Sequence, residues 1–355
     1  MRILILNNTY PSSAVPNSGT YIKSIEECLK EANTNGETKH FTLMPSGLKK
    51  WNKLYDYLHF YVRLCFLPLS HYDLLYINHY IFMLPLFFRL PFFKGKTIFH
   101  WHGDEVVSTR LIIRFLRLCA KKSIPEQAVH ISPSRYFCGP VSQWLHLPQE
   151  RIFISPSGGV DMKLFYPSKQ AALSGQFRIG FASGLLRSKG ADILEMLLQN
   201  VDTLEEKIGM KIVVNYINYG AEATEWNKRF SRFPTHILKW EKMPKEQMVH
   251  FYQSIDFLLM PSVRAGESLG LVVLEAMACN LPVISRKLAA FPEFVIPGKT
   301  GELLELNDLP EDFFQKIVKV AKNRQNYHPR EFIRKQYSKE SVVAFYRRMI
   351  REFER

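Results

Sequence analysis

The sequence predicts an α/β protein made of two halves, each a parallel sheet wound with helices. Three observations carry this. Short apolar runs alternate with helical patterns along nearly the whole chain, the mark of βαβ units. A polar, small-residue stretch, YPSKQAALSGQ (166–176), interrupts that alternation near the middle. The length of 355 residues exceeds what one domain of roughly 100–200 residues normally holds.

The elements follow in order. RILILNN at the N-terminus is strand-like and lacks the charged-then-apolar pattern of a secretory signal. After the turn-rich NTYPSSAVPNSG, apolar Ile22, Ile25, Leu29 and Ala32 recur at helical spacing, with Gly36 placed as the C-cap. HFTLMP, DLLYINHY, KTIFHWHG, QAVHISPS and RIFISPSG read as further strands separated by helices. Beyond the linker come strand FRIGFASG, helix ADILEMLLQNV, strands MKIVVNYIN and THILKWEK, and helix KEQMVHFYQSI. Strand DFLLMPS, helix LVVLEAMAC and strand LPVISR complete the second alternation. Two such halves imply a cleft between domains, with ligands at the carboxyl ends of parallel strands.

Composition narrows the partners. Hydrophobic residues make 46% and charged residues 23%, as in an ordinary globular chain. Lys plus Arg is 47 against 33 Asp plus Glu, a formal net charge of +14. Residues 1–165 hold 19 basic and 11 acidic side chains (net +8), and the remainder 28 and 22 (net +6), so no basic tail exists. The surplus favours anionic partners, but no nucleic-acid module is present and nucleic acid is not expected. Five scattered cysteines, with no C-x-x-C pair, predict reduced thiols in a cytoplasmic protein and no zinc site. The longest apolar run, Tyr80–Phe93, is too short to span a bilayer and contains Arg89. Trp51, Tyr55, Tyr57, Phe60, Tyr61 and Phe66 lie among Lys49, Lys50, Lys53 and Arg63, a mixture suited to the headgroup layer. Residues 51–93 are therefore expected to meet an anionic membrane surface; an ordinary buried helix with a solvated basic edge is the alternative.

The densest chemistry lies in PSVRAGESLGLVVLEAMACNLPVIS (261–285). A strand ends, a loop carries Glu267, and Gly270 opens an apolar helix whose first N–H groups, near Leu271, form an anion site. Carboxylates beside such a site suit sugar hydroxyls. Glu275, one turn into an otherwise apolar helix, needs a partner if it is buried; a solvent-facing Glu275 is the other reading.

Glu267, seven residues, Glu275, then A-M-A-C-x-L-P-V-I-S resembles the signature of retaining glycosyltransferases of the GT-B fold, nearest to glycosyltransferase family 4 (glycosyl transferases group 1). Tyr10-Pro11 with Gly19-Thr20 resembles the family's first glycine loop, with one glycine of the usual two. FHWHGDE places His102 at the family's active-site histidine, and DLLYINHY resembles the strand ending in histidine. ISPSGGVDMKLFYP resembles the stretch entering the second domain, and PGKTGELLELND the segment after the Glu signature. FASGLLRSKG resembles G-R-L-x-x-x-K-G, with Lys189 in place but Gly184 standing where the family has its diphosphate-binding Arg. Arg187 is close enough in sequence to supply that cation. Asn280 replaces a glycine just past the helix, where Asn is the next-best left-handed residue.

The resemblance implies two Rossmann-like domains facing each other across a cleft. The first is a 1–165 acceptor-binding domain, the second a 166–340 nucleotide-sugar domain, and a 341–355 helix crosses back to the first. It implies transfer of a sugar from a nucleotide diphosphosugar (UDP preferred over GDP) to a glycan or lipid-linked hydroxyl, with retention and in bacterial surface polysaccharide synthesis. No cofactor and no metal are expected, and no Asp-x-Asp motif occurs. His102 and Glu267 are the expected catalytic residues. Arg187, Lys189, Glu267, Ser268, Leu269, Gly270, Leu271 and Glu275 would hold the donor, and Gly19, Thr20 and Asp104 face the acceptor. Asp104 could also orient His102, with His79 and His100 as weaker candidates. Alternatives are another GT-B enzyme, such as a nucleotide-sugar epimerase or a phosphorylase, and a non-catalytic basic membrane-binding protein.

Overall fold

The computed structural model describes residues 1–12, 19–43, 50–168 and 175–355; the side chains of Lys50, Trp51 and Asp104 are outside the description. The chain runs β1 (Arg2–Asn7), α1 (Thr20–Ala32), β2 (Glu37–Thr42), α2 (Lys50–Phe66), β3 (Leu74–Asn78), α3 (Leu84–Arg89) and β4 (Lys96–His100). It continues through α4 (Asp104–Val107), α5 (Leu111–Lys121), β5 (Val129–Ser132), α6 (Arg135–Leu145) and β6 (Ile152–Ile154). Then come β7 (Gln176–Phe181), α7 (Ala191–Gln199), α8 (Val201–Ile208), β8 (Lys211–Asn218), α9 (Ala223–Phe230) and β9 (Ile237–Glu241). The last stretch is α10 (Met248–Gln253), β10 (Phe257–Met260), α11 (Leu271–Ala278), β11 (Val283–Arg286), β12 (Gly301–Leu304), α12 (Pro310–Asn323), α13 (Pro329–Arg334) and α14 (Lys339–Phe353).

Two compact units result: Met1–Gly159 together with Lys339–Arg355, and Val160–Ser338. In the first, six parallel strands lie in the order β2-β1-β3-β4-β5-β6. Period-two alternation divides β1 between two cores. Ile3 and Ile5 face α1 and α14, where Ile22, Ile25, Val342 and Tyr346 are buried. Leu4 and Leu6 face the opposite core with Phe60, Leu86 and Val141. The terminal helix α14 packs on α1 and so belongs to the first unit, although it follows the second in sequence.

The second unit repeats the plan with six strands in the order β12-β11-β10-β7-β8-β9, all paired parallel. Leu258 and Met260 of β10 face α11, while Phe257 and Leu259 face the core of α7, α8 and α12. In both sheets the strand order reverses beside the first strand of the unit, the arrangement that opens a crevice at the carboxyl ends.

Two local expectations are settled here. Gly36 is not a helix cap: α1 ends at Ala32 with Asn33 as its cap, whose N–H donates to the Leu29 carbonyl. Gly36 is instead crowded by the Met1 backbone where the chain enters β2, leaving no room for a Cβ. Asn280, by contrast, does adopt the left-handed conformation just past α11, at φ 62. Its N–H and that of Leu281 close the helix on Met277 and Ala276.

Candidate active site

In the second unit, three strand ends build a polar site. After β7 the chain turns through a short 3₁₀ segment, Arg187–Lys189, and enters α7 at Gly190. Gly190 has φ 91, and a Cβ there would collide with the Pro261 ring, so only glycine lets the β7 and β10 loops approach this closely. Val263 N–H donates to Ser188 O at 3.1 Å and so ties the loops together.

That contact sets Lys189 against Glu267. The Lys189 ammonium donates to Glu267 Oε1, and Ser262 Oγ donates to the same oxygen at 3.2 Å. Both charged side chains are mostly shielded, at 17% and 12% exposure, so removing either partner would cost more than breaking a surface salt bridge. Ser268 continues the loop, and Leu269 is buried and anchors it. Gly270, at φ 76, opens α11 with no side-chain cap, leaving the N–H groups of Leu271 and its neighbour to an outside acceptor.

Glu275 is buried at 7% exposure, which removes the solvent-facing reading. Its partner is the Tyr252 hydroxyl, which donates to Oε2 at 2.9 Å, and Lys245 Nζ lies 3.9 Å from Oε1. Burial raises the Glu275 pKa above the ordinary carboxylate range, while the Lys245 charge and the Tyr252 bond oppose the rise.

Arg187 takes a different direction from Lys189. Two steps along a 3₁₀ turn place side chains on different sides. Arg187 is exposed, its N–H donates to Glu222 Oε2 at 2.9 Å, and it borders a depression with Glu222, Asp192 and Arg286. At Gly184 the Tyr219 ring fills the space: a Cβ there would stand 3.2 Å from Tyr219 Cε2. The Tyr219 hydroxyl donates to Ala182 O at 3.2 Å, and Lys242 Nζ lies 5.7 Å from the ring centroid. Tyr219, Lys242, Lys245 and Tyr252 are not singled out by the sequence: Tyr219 and Lys242 follow β8 and β9 outside any motif, and Lys245 and Tyr252 lie in the segment leading into the Glu signature without standing out there.

The first unit assembles a histidine cluster at the carboxyl ends of β3 and β4. His102 is buried at 5% exposure, and its Nε2 lies 3.0 Å from Asn78 Oδ1. An amide oxygen only accepts, so the proton sits on Nε2 and Nδ1 is left as acceptor. Burial, with His100 and His79 nearby, holds the His102 pKa well below the usual range, so the ring is neutral.

His79 adopts left-handed φ 53, uncommon for a side chain with a Cβ. The Tyr21 hydroxyl is bonded to its Nε2. Gly19, also left-handed, precedes Thr20 and Tyr21 at the start of α1, which places that expected loop beside the cluster. His100 is turned inward, with Nδ1 2.7 Å from the Tyr76 hydroxyl, itself bonded to Tyr346 of α14.

Glu105 holds the backbone of His102, while Asn78 holds its ring. The Glu105 Oε1 accepts the His102 backbone N–H at 2.8 Å and lies 3.9 Å from His79 Nδ1. Burial pushes its pKa up to about 8, which makes it a largely protonated acid at neutral pH. The Asp104 side chain, expected in that place, lies outside the described residues.

Two doubly wound units with these strand-end sites define the GT-B class of glycosyltransferase folds. Sucrose-phosphate synthase from Thermosynechococcus elongatus matches with a TM-score of 0.72 and 17% identity, covering 100% of this chain and 99% of that one. HepE from Anabaena, solved in complex with UDP, matches with a TM-score of 0.70 and 17% identity, covering 99% of both chains.

Residues 176–323, within the second unit, match the family model described as glycosyl transferases group 1. An uncharacterized glycosyltransferase of Methanocaldococcus jannaschii is 27% identical over 172 residues, 47% of this chain and 43% of that protein. The chain thus spans less than half the length of the curated relatives it matches.

Proposed function

We propose that this protein is a retaining, metal-independent glycosyltransferase that takes its sugar from a nucleotide diphosphosugar. The observation that carries the reading is the second unit's constellation: a shielded Lys189–Glu267 pair, the uncapped start of α11, and a buried Glu275 with its Tyr252 partner. Lys189 and the N–H groups at Gly270–Leu271 would stabilise the charge that develops on the leaving diphosphate. Once the diphosphate engages Lys189, Glu267 is released to accept hydrogen bonds from the sugar hydroxyls. Glu275, steadied by Tyr252, would accept from the nucleotide ribose. Retention rests on the resemblance of the Glu-x7-Glu segment.

UDP is the favoured nucleotide, supported by the UDP complex of HepE. The first unit would serve the acceptor, a glycan or lipid-linked hydroxyl, in surface polysaccharide synthesis. Its neutral His102 can offer Nδ1 as an acceptor, while Gly19 and Thr20 open the loop beside it and Asp104 stands three residues before the end of α4. The leaving phosphate can take the acceptor proton, so no separate base is required. Cytoplasmic work at an anionic membrane belongs to this reading; α2, which opens the 51–93 segment, leaves Leu54, Tyr55, Leu58 and Phe66 exposed.

The test is release of nucleoside diphosphate from UDP-sugars and GDP-sugars, with and without acceptor membranes, in the presence of EDTA. Acceptor-dependent release by the wild type, abolished in Glu267→Gln with the fold intact, is the expected result. Conversion of the nucleotide sugar without acceptor would identify an epimerase. A silent Glu267→Gln would favour a non-catalytic protein.

A further inference from the structure

The outer surface of α5 is apolar where a surface helix should be polar. Leu111, Ile112, Phe115 and Leu118 are 80%, 62%, 60% and 65% exposed. The inward face is apolar as well: Ile113, Leu116, Cys119 and Ala120 pack into the core. Spacing of i, i+1, i+4 and i+7 puts the four exposed side chains in one stripe. Beside it α3, which packs between α2 and α5, exposes Phe88 (78%), and Phe92 follows at 83%. On the other side of α3, α2 exposes Leu54, Tyr55, Leu58 and Val62, so three neighbouring helices all present large apolar side chains to the outside, and clustered exposure of this kind marks an interaction surface.

Charge decides what covers it. Arg110, Arg114 and Lys122 are exposed on or at the ends of α5, and Lys53 is exposed on α2. Among the described residues, α2, α3 and α5 hold one carboxylate, Asp56, and it is buried. A second copy of this face would bring cations against cations. An anionic bilayer answers both features, with phosphates for the basic rim and acyl chains for the stripe. Among the described residues no helix is long and apolar enough to cross a membrane, so the contact lies in the interface plane.

We propose that α5, flanked by α2 and α3, is an in-plane docking element that seats the outer side chains of Phe115 and Leu118 at the headgroup–acyl boundary of an anionic bilayer. This deepens the membrane contact proposed above by assigning the inserting element to α5, outside residues 51–93. Its readout is binding and not transfer, so it can fail while sugar transfer stands.

The test is flotation of the full chain with vesicles of phosphatidylcholine containing about one quarter phosphatidylglycerol, against phosphatidylcholine alone. The wild type should float with the anionic vesicles and be released by salt. Phe115→Ser/Leu118→Ser should weaken binding by about tenfold or more, with an unchanged circular dichroism spectrum and melting temperature. Arg114→Gln/Lys122→Gln leaves the helix packing alone and should weaken it on the order of fivefold per charge; it keeps the test decisive if the first variant is unstable. Recovery of the wild type in the soluble fraction at low salt would overturn the proposal. So would undiminished flotation of both variants, or a dimer in solution that Phe115→Ser/Leu118→Ser converts to monomer.

Discussion

Glu105→Gln removes one proton site from the interior of the first unit and little else. The amide oxygen can still accept the His102 N–H that Glu105 Oε1 accepts at 2.8 Å. What it cannot do is ionise. In the native protein burial holds the carboxyl at about 8 against an ordinary 4.5, and among the described residues Oε2 has no hydrogen-bond partner. The folded state therefore keeps a proton that the unfolded chain has released. Between pH 4.5 and 8 the folded state binds more protons, so stability falls as pH rises through that window.

The neighbouring histidines work the other way. His79 is depressed to about 4 and His100 to about 3, and His102 lies well below its ordinary value, so each adds stability as pH rises towards 6.5. The unfolded histidines lose their remaining protons between about pH 6.5 and 7.5 in both proteins alike, so from pH 6.5 to 8 the difference between wild type and variant isolates Glu105. At about 1.4 kcal/mol per pH unit, it should cost about 2 kcal/mol. Hydrogen exchange of the β3 and β4 amides reports this unit alone, and comparing wild type with variant at equal pH cancels intrinsic exchange rates. Over that interval the stability profiles read from these amides should diverge by about 2 kcal/mol, Glu105→Gln gaining on the wild type as pH rises. Parallel profiles for the two proteins would refute the buried-acid argument.

Two substitutions probe the second unit. Arg187→Ala should leave UDP affinity within about threefold, because the side chain is exposed and borders a depression with Glu222 and Arg286; a loss of tenfold or more in calorimetry would show that it reaches the diphosphate. Gly184→Arg should destabilise the protein by about 1–3 kcal/mol, since Tyr219 Cε2 already stands 3.2 Å from a Cβ there. Adding Tyr219→Ala should recover the melting temperature, and an unchanged temperature in Gly184→Arg alone would show that the ring yields freely.

The architecture was largely legible because both sheets are wholly parallel and covered on two faces, so their strands read as short apolar runs between helical patterns. Gly36 misled because a glycine after a helix resembles a cap, whereas here the Met1 backbone crowds it. Lys189, Glu267 and Glu275 stood out because the acids and the lysine interrupt apolar or glycine-rich surroundings at strand ends. Glu105 did not. Nothing local in H-G-D-E shows that its glutamate turns inward, which depends on how a four-residue helix sits over the sheet. Tyr219 over Gly184 was equally hidden, since that contact joins the ends of adjacent strands β7 and β8 and no local pattern records it. The outward stripe of α5 escaped notice because its inward face is apolar too, and only packing shows which side is left bare.

The central claim is that the second unit binds a nucleoside diphosphate through Lys189 without a divalent metal. Calorimetric titration of UDP into the full chain in EDTA, repeated with Lys189→Ala, tests it most directly. Losing a charge-assisted contact of this kind should weaken binding by about tenfold to a hundredfold. Saturable binding by the wild type and that loss in the variant are the predicted result. Equal affinity in the two proteins, or no binding of UDP, GDP or their sugars to the wild type, would contradict it.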